Sequence, residues 1–388
     1  MRTTSPRRRL AAVAALALVL AGCGGGSAEA PTGPGEGYRV GVILPLTGPA
    51  SAIGNDFNTA LEVFREIDPA ARDLQIEYIV CDDRTTPDGA AACARKLVQQ
   101  DEVNMIYGPV IGGSHAGARP VLSAGPPSVT PSPYATTEPG DPIFSAAGNS
   151  VELDRVTLEL AAERGLQRVA VLATTDLTGE TAVQNLEAAN AELGLQLAVE
   201  RMGPTDVDAS AQLNRLLETD PQYVYVATSG AAAGVALKGL GQLGADLPTA
   251  LIWSNTTNGF LQAAGPDMPT ETLFAVSAAW DPDTLDDPAR AEQVRTFQTA
   301  FEERAGAPVS FVVQGAYDAF QLIVSALGTA GGEPAAISAH LDGLTGFQGL
   351  NWRLDYTPDR HRPAPEGNYV MMRYDPAGGT WSAAAAQG

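Results

Sequence analysis

Three short stretches hold residue types that could do chemistry. Gly112-Gly113-Ser114-His115-Ala116 approaches the G-x-S-x-G elbow, in which a sharp strand-to-helix turn exposes a nucleophilic serine. Ala116 replaces the closing glycine, and His115, as the next residue, is badly placed to take the Ser114 proton. The other two histidines, His340 and His361, fall in segments that read as peripheral, so a serine hydrolase is the remote reading. Gly239 to Gly244 matches G-x-G-x-x-G, but it closes a helical pattern and precedes a strand. A dinucleotide loop must instead follow a strand and open a helix. Asp82-Asp83 pairs two carboxylates, yet no histidine or further carboxylate recurs at ligand spacing, and they read as capping or loop-stabilising groups. No catalytic residue, cofactor or metal is assigned, and the chain does not read as an enzyme.

The chain has three cysteines, Cys23, Cys81 and Cys93. Cys81 ends an apparent strand and Cys93 lies in the helix that follows, so the two meet if the helix folds back on its strand. A disulfide is the expectation, with two buried thiols as the alternative; the spacing excludes a CxxC redox or zinc site. Cys23 has another setting. Arg2 and Arg7-Arg8-Arg9 precede the uncharged run Leu10 to Ala21, which has the length of a signal-peptide core and falls short of a membrane span. Leu20-Ala21-Gly22-Cys23 resembles the bacterial lipoprotein box, which implies a signal peptide over 1–22 and a lipid on Cys23. Residues 24–37, GGGSAEAPTGPGEG, then read as a flexible tether spanning about 20 Å by coil statistics.

The elements that would position a site come next. RVGVILPL (39–46), LQIEYIV (74–80) and VNMIYGP (103–109) are apolar almost without alternation, as strands buried on both faces are. Helical patterns lie between them at 55–67 and 87–100, and the series restarts with QRVAVLATT (167–175), LQLAVERM (195–202), YVYVAT (223–228) and TALIWSN (249–255). Two consecutive βαβα series predict an α/β fold of two doubly wound, Rossmann-like lobes. Helical pieces near 288–305 and 310–329 follow. NWRLDYT (351–357) and NYVMMRY (368–374) read as antiparallel strands flanking an exposed PDRHRPAPEG loop. No segment after the leader is read as crossing a membrane. Formal charge is −21; without the leader's four arginines it is near −25, which argues against nucleic acid as a partner.

Ligands in open α/β sheets sit beyond the carboxyl ends of the strands. The loops there, PLTGPASAIG (45–54), GPVIGGSHA (108–116), TPSPYAT (130–136), ATTDLTGE (173–180), ATSGAAA (227–233) and WSNTTNG (253–259), are small and polar on both lobes, like the jaws of a cleft. Backbone amides near Ser114 at a helix start suit a carboxylate.

In order and spacing, VGVILPLTGPASAIG, DDRTTPDGAAACARKLV, IYGPVIGGSHAGARPV, VTPSPYAT, RVAVLATTDLTGE, GAYDAFQLIVSAL and GFQGLNWRLD resemble the leucine/isoleucine/valine-binding type of solute-binding protein, the type I periplasmic binding fold that serves ABC transporters. The resemblance covers nearly all of 38–385 and implies three crossovers, near 146–149, 277–280 and 345–349. The lobes would then be 38–146 with 278–345, and 147–277 with 346–385. It also implies a carboxylate clamp from Gly113, Ser114, Ser132 and Tyr134. In the second lobe the family usually supplies an acid for the ligand's ammonium, where this chain reads Ser254-Asn255-Thr256-Thr257. Ile53 and Thr178 stand where tyrosines are typical, Ser229 replaces a third, and Asp176 is the candidate substitute for the missing acid. Asn255, Thr256 and Phe311 complete the candidate ligand set. The expected function is hinge closure on a small-molecule ligand by a monomeric, lipid-anchored extracytoplasmic protein that docks on a permease. A small organic anion or polar metabolite is preferred; an amino acid and an envelope sensor are the alternatives.

Overall fold

The computed structural model describes residues 37–133, 135–363 and 369–384. Cys23, the leader, nearly all of the tether and Tyr134 lie outside the described residues. The first sheet holds strands β1 (Tyr38–Leu44), β2 (Ile76–Asp82), β3 (Met105–Tyr107), β4 (Ser128–Thr130) and β5 (Ile143–Ser145) in the order β2-β1-β3-β4-β5, with every pair parallel. The second repeats the pattern with β6 (Arg168–Thr174), β7 (Gln196–Met202), β8 (Tyr223–Ala227), β9 (Thr249–Leu251) and β10 (Thr272–Ser277), in the order β10-β9-β8-β6-β7. A short pair, β11 (Phe347–Gln348) and β12 (Arg353–Leu354), stands apart, while β13 (Tyr369–Asp375) and β14 (Thr380–Ala383) extend the second sheet antiparallel beyond β10. The expected pair of doubly wound lobes is the fold observed.

In each lobe the helix after the first strand folds tightly back onto that strand. A Cβ on Gly54 would lie 2.1 Å from Pro45 O, and one on Gly179 would lie 2.1 Å from Thr174 O. Both glycines are fixed by the close approach, so the glycine of the TTDLTG stretch has a packing cause. The bridge between Cys81 and Cys93, with Cα atoms 5.7 Å apart, ties the end of β2 to the helix Pro87–Gln99. Asp82 accepts hydrogen bonds from Thr47 N and Oγ1 and from Arg84 N, while Asp83 accepts one from Thr85 N. Among the described residues no group of side chains is arranged to hold a metal.

After β10 the chain returns to the first lobe through the helices Pro288–Ala305 and Phe311–Ala330. The second is long and apolar enough to cross a bilayer, but it is a core helix: Val313, Ala316, Ala319, Leu322 and Leu327 are fully buried. Residues 346–363, expected in the second lobe, pack on the first. Tyr356 Oη donates to Ser145 O at 2.8 Å, Ser145 N donates to His361 O at 2.8 Å, and the His361 ring stacks on Phe144 with centroids 4.3 Å apart. His361 is buried and meets Asp342 at 2.9 Å, so the loop read as exposed is partly a lid on the β5 edge. The 351–357 stretch does not pair with 368–374; β12 pairs with β11, and β13 pairs with β10 and β14.

Asp318, wholly buried on the Phe311–Ala330 helix, holds the chain between the lobes. One of its oxygens accepts from Leu350 N at 2.8 Å, the other from Trp352 N at 2.8 Å and Asn351 N at 3.0 Å. In the second lobe the equally buried Asp154 accepts from Tyr225 Oη at 2.5 Å and Asn185 Nδ2 at 2.8 Å. Burial pushes both carboxyls up to about 7. The native state therefore binds these protons below about pH 7, whereas an unfolded aspartate binds its proton only below about 4. Stability is expected to rise as pH falls from 8 toward 5, by an amount on the order of a few kcal/mol. Urea unfolding midpoints across that range test this: Asp154→Asn should flatten part of the slope, and a level wild-type profile would refute the burial argument.

Candidate functional site

The lobes meet across a crevice at the carboxyl ends of their strands. Asn258 Nδ2 donates to Pro308 O at 2.6 Å from lobe to lobe, and a Cβ on Gly259 would lie 3.7 Å from the Ala52 methyl. One narrow part of the crevice, about 250 Å³ of empty space including open solvent, is lined by Pro131, Pro133, Leu153, Trp253, Phe311 and Trp352, with Ala147, Gly148, Val312 and Gly315. A wider part of about 780 Å³, including open solvent, lies between Thr256, Asn258, Leu261, Tyr374 and Trp381 of the second lobe and Trp280, Gln298 and Ser310 of the first. Phe311 is the pin of the site. Its ring lies 6.0 Å from Trp253 of the second lobe, 6.1 Å from Trp280 at the second crossover and 6.0 Å from Trp352 in the strap that leads to the third.

In the first jaw the helix Gly112–Leu122 follows β3 and opens without a side-chain cap, which leaves backbone N–H groups of its first turn for a guest. Gly113 is exposed and has no atom within 4 Å of a Cβ position. Ser114 is buried, and its hydroxyl sits against the buried Asp83 carboxylate in an approach short of full hydrogen-bond geometry. Burial pushes that carboxyl up, against the opposing pull of the Thr85 N–H and Ser114. Ser132 is buried in a turn in which its carbonyl accepts from Ala135 N. His115 is not arranged as a base for Ser114: its Nε2 lies 3.0 Å from Thr136 O, and burial pulls the imidazole below its ordinary value. Ile53 is half-buried against the core.

The second jaw is uncharged at its centre. Asn255, fully buried, has both ends of its amide committed: Oδ1 accepts from Gly230 N at 2.8 Å and Nδ2 donates to Thr228 O at 2.7 Å. Thr256 donates to Trp253 O at 2.9 Å, and Ser229 Oγ pairs with Ser254 Oγ at 2.6 Å. Asp176 is exposed and caps the helix Leu177–Leu193, accepting from Gly179 N at 3.1 Å and Thr174 Oγ1 at 2.8 Å; Thr178 is half-buried in that helix's first turn. Sequence reasoning missed Trp253, Trp352, Pro131 and Pro133, although WSNTTNG and GLNWRLD were both in view. The Trp253 and Trp352 indole N–H groups are buried without a protein partner.

Residues 37–380 match the family model described as periplasmic binding protein. No curated protein matches the chain. An extracellular ligand-binding receptor from Rhodopseudomonas palustris HaA2 is 21% identical, with a TM-score of 0.81 over 90% of this chain and 99% of that one. A leucine binding protein LivK from Thermotoga maritima MSB8 is 19% identical, with a TM-score of 0.77 over 90% and 98%. A solute binding protein of an ABC transporter from R. palustris, in complex with benzoate, is 19% identical, with a TM-score of 0.73 over 89% and 95%. With its two doubly wound lobes and the match along nearly the whole described length, the chain belongs to the periplasmic binding protein family, a family of solute-binding receptors rather than enzymes.

Proposed function

We propose that this chain is an extracytoplasmic solute-binding lipoprotein of an ABC importer, closing on a small carboxylate-bearing or polar metabolite that has no ammonium group. The uncharged centre of the second jaw, around Asn255, carries the reading. Asn255 is fully buried with its amide bonded to backbone at both ends, and Asp176, exposed at the rim, caps a helix through one oxygen. Desolvating an ammonium there without a counter-ion would be costly. On the other side, the uncapped helix start at Gly112 suits a carboxylate, and the aromatic and proline walls suit an apolar body. The benzoate-bound relative is consistent with this ligand class. An amino-acid ligand is the second reading, and one observation favours it. Asp56, one turn beyond Ile53, is half-buried, and burial pushes its carboxyl up to about 6, as for an acid awaiting a partner.

Thermal-shift measurements with benzoate, dihydroxybenzoate, leucine and small amides test the ligand class, since a ligand that binds only the folded state raises the melting temperature. Aromatic or other carboxylates lacking an ammonium should shift it. A shift from amino acids alone, lost in Asp56→Asn, would replace our reading with the second. Trp253→Ala should remove binding of the active ligand, whereas Ser114→Ala, whose hydroxyl sits against Asp83, should weaken it by less than about tenfold.

Anchoring is proposed from the leader and Cys23. Cys23→Ser should prevent lipid attachment, so the protein should leave the membrane fraction. Retention of the variant at the membrane would count against a lipid anchor.

A further inference from the structure

Phe311 divides the crevice. Its ring meets Trp253 and Trp352, which line the narrow part, and Trp280, which lines the wider one. The two parts share no lining residue. The polar groups of the wider part have one thing in common. Asn258 spends its Nδ2 on Pro308 O, at 2.6 Å, so Oδ1 is the end left over. Gln298 spends its Nε2 on Trp280 O at 3.0 Å and on Gln314 Oε1 at 2.8 Å, which leaves Oε1 in the same way. The Thr256 hydroxyl donates to Trp253 O at 2.9 Å and keeps only lone pairs. Beside them stands the exposed Glu302 carboxylate. All four therefore offer acceptors.

Among the described residues no lysine or arginine lines this part. On the helix that carries Glu302, Arg295 pairs with Asp283 at 2.6 Å, Arg304 pairs with Glu62 at 2.9 Å and with Glu66, and Arg290 donates to Leu350 O and Asn351 O. Outside the described residues the leader alone holds lysine or arginine, at Arg2 and Arg7 to Arg9. A lone surface carboxylate is ordinary; its company here is not. Trp280 and Trp381 meet with centroids 4.5 Å apart and planes at 72°, an aromatic corner, and Tyr374 packs on Trp381 at 4.8 Å. Both indoles are only half-buried. Ring faces attract a cation, the more so where water is partly excluded.

We propose that the wider part is a second ligand site, for an amine-bearing organic cation. Glu302 supplies the countercharge, Gln298, Asn258 and Thr256 supply the remaining acceptors, and the aromatic corner takes the carbon body. Ser310 lines the same part, and its buried hydroxyl, without a partner among the described residues, offers a further contact. A sugar would ask the wall for donors as well, and would leave Glu302 without a charge to meet. The inference goes beyond the carboxylate reading and does not depend on it, since Glu302 lines the wider part alone. Both lobes supply walls, so an occupant also favours the lobe arrangement described here.

The test is calorimetric titration with benzylammonium, with its neutral analogue benzyl alcohol, and with benzyltrimethylammonium, which keeps the charge and loses the N–H donors. Benzylammonium should bind saturably and about tenfold more tightly than benzyl alcohol, with benzyltrimethylammonium between them. Glu302→Gln, a change at an exposed side chain, should weaken benzylammonium about tenfold and flatten its salt dependence, as for opposite charges several Å apart near a surface. Trp381→Leu should weaken it about fivefold. A melting curve checks that this variant folds, and if it does not, Glu302→Gln decides. Trp253→Ala, in the narrow part, should change the affinity by less than about twofold. No saturable binding to the wild type, equal binding of benzyl alcohol, or undiminished binding to Glu302→Gln overturns the proposal. So does a loss in Trp253→Ala as large as that in Glu302→Gln, which would put the cation in the narrow part. If benzylammonium passes these tests while no carboxylate binds, the ligand class proposed above falls and the second site stands.

Discussion

A single buried carboxyl fixes the strap that runs on toward the second lobe. Asp318 gathers the N–H groups of Leu350, Asn351 and Trp352 onto its two oxygens, and Asn351 Nδ2 adds a further contact at 3.2 Å. Such a group survives burial only because its lone pairs are met and Arg290 stands nearby, donating to Leu350 O at 2.8 Å and Asn351 O at 3.0 Å. Gly349 is part of the same constraint, since a Cβ there would lie 2.5 Å from the Asp318 carboxylate. The strap so held presents Trp352 to Phe311, to Tyr369 at 5.3 Å and to Gly148, where a Cβ would come within 2.8 Å of the indole. Gln314, one turn earlier on the Asp318 helix, ties Ala279 O at 3.1 Å and Asn351 Oδ1 at 2.9 Å, and Asn149 N donates to Tyr369 Oη at 2.7 Å. All three crossings between the lobes are thus registered around one helix end.

The contact between the jaws is of a different kind. Around Phe311 it is made of aromatic rings from both lobes, largely edge-on or tilted, and these interactions are broad in angle. One polar link, Asn258 to Pro308, bridges the front, where its groups would find water if the lobes parted. For the closure proposed above, a registered strap beside a seam that is broad in angle is a suitable arrangement, since the lobes could turn about the strap while the rings slide. A ligand then shifts the balance by whatever it gains from touching both jaws.

Much of this was legible in the sequence because parallel strands buried on both faces write themselves as unbroken apolar runs. β1, β6 and β8 show it, each buried over nearly its whole length. β3 and β9, three residues each, stand within longer apolar runs, whereas the equally short β4 and β5 are bounded by prolines and small polar residues that hide them. The alternating NWRLDYT stretch resembled a strand, yet most of it is a strap whose backbone partners are side chains of a distant helix, and no local pattern reports that. Asn255 was a fair candidate by position; its engagement by Gly230 and Thr228 depends on how two loops cross. Arg362 sat among Pro, Asp and His in a run that looks solvated, and its burial arises only because 353–363 folds onto the β5 edge.

Charge says more about the guest than shape does. The crevice walls are aromatic and proline-rich, a lining that accepts many apolar bodies with little discrimination. Its polar groups are less permissive because several are already engaged within the protein: the Asn255 amide is bonded at both ends, and one Asp176 oxygen caps a helix. What remains available around the narrow part is a helix start in the first jaw, two indole N–H donors in the walls and the hydroxyls of Thr228 and Ser310. Apart from the hydroxyls, these are donors or positive ends. A zwitterion would bring a carboxylate that fits and an ammonium that must find a partner elsewhere; an anion brings only the part that fits. For the function proposed above, such an asymmetry between the jaws would favour an anion, since withholding a partner from the wrong ligand discriminates more sharply than adding a contact for the right one.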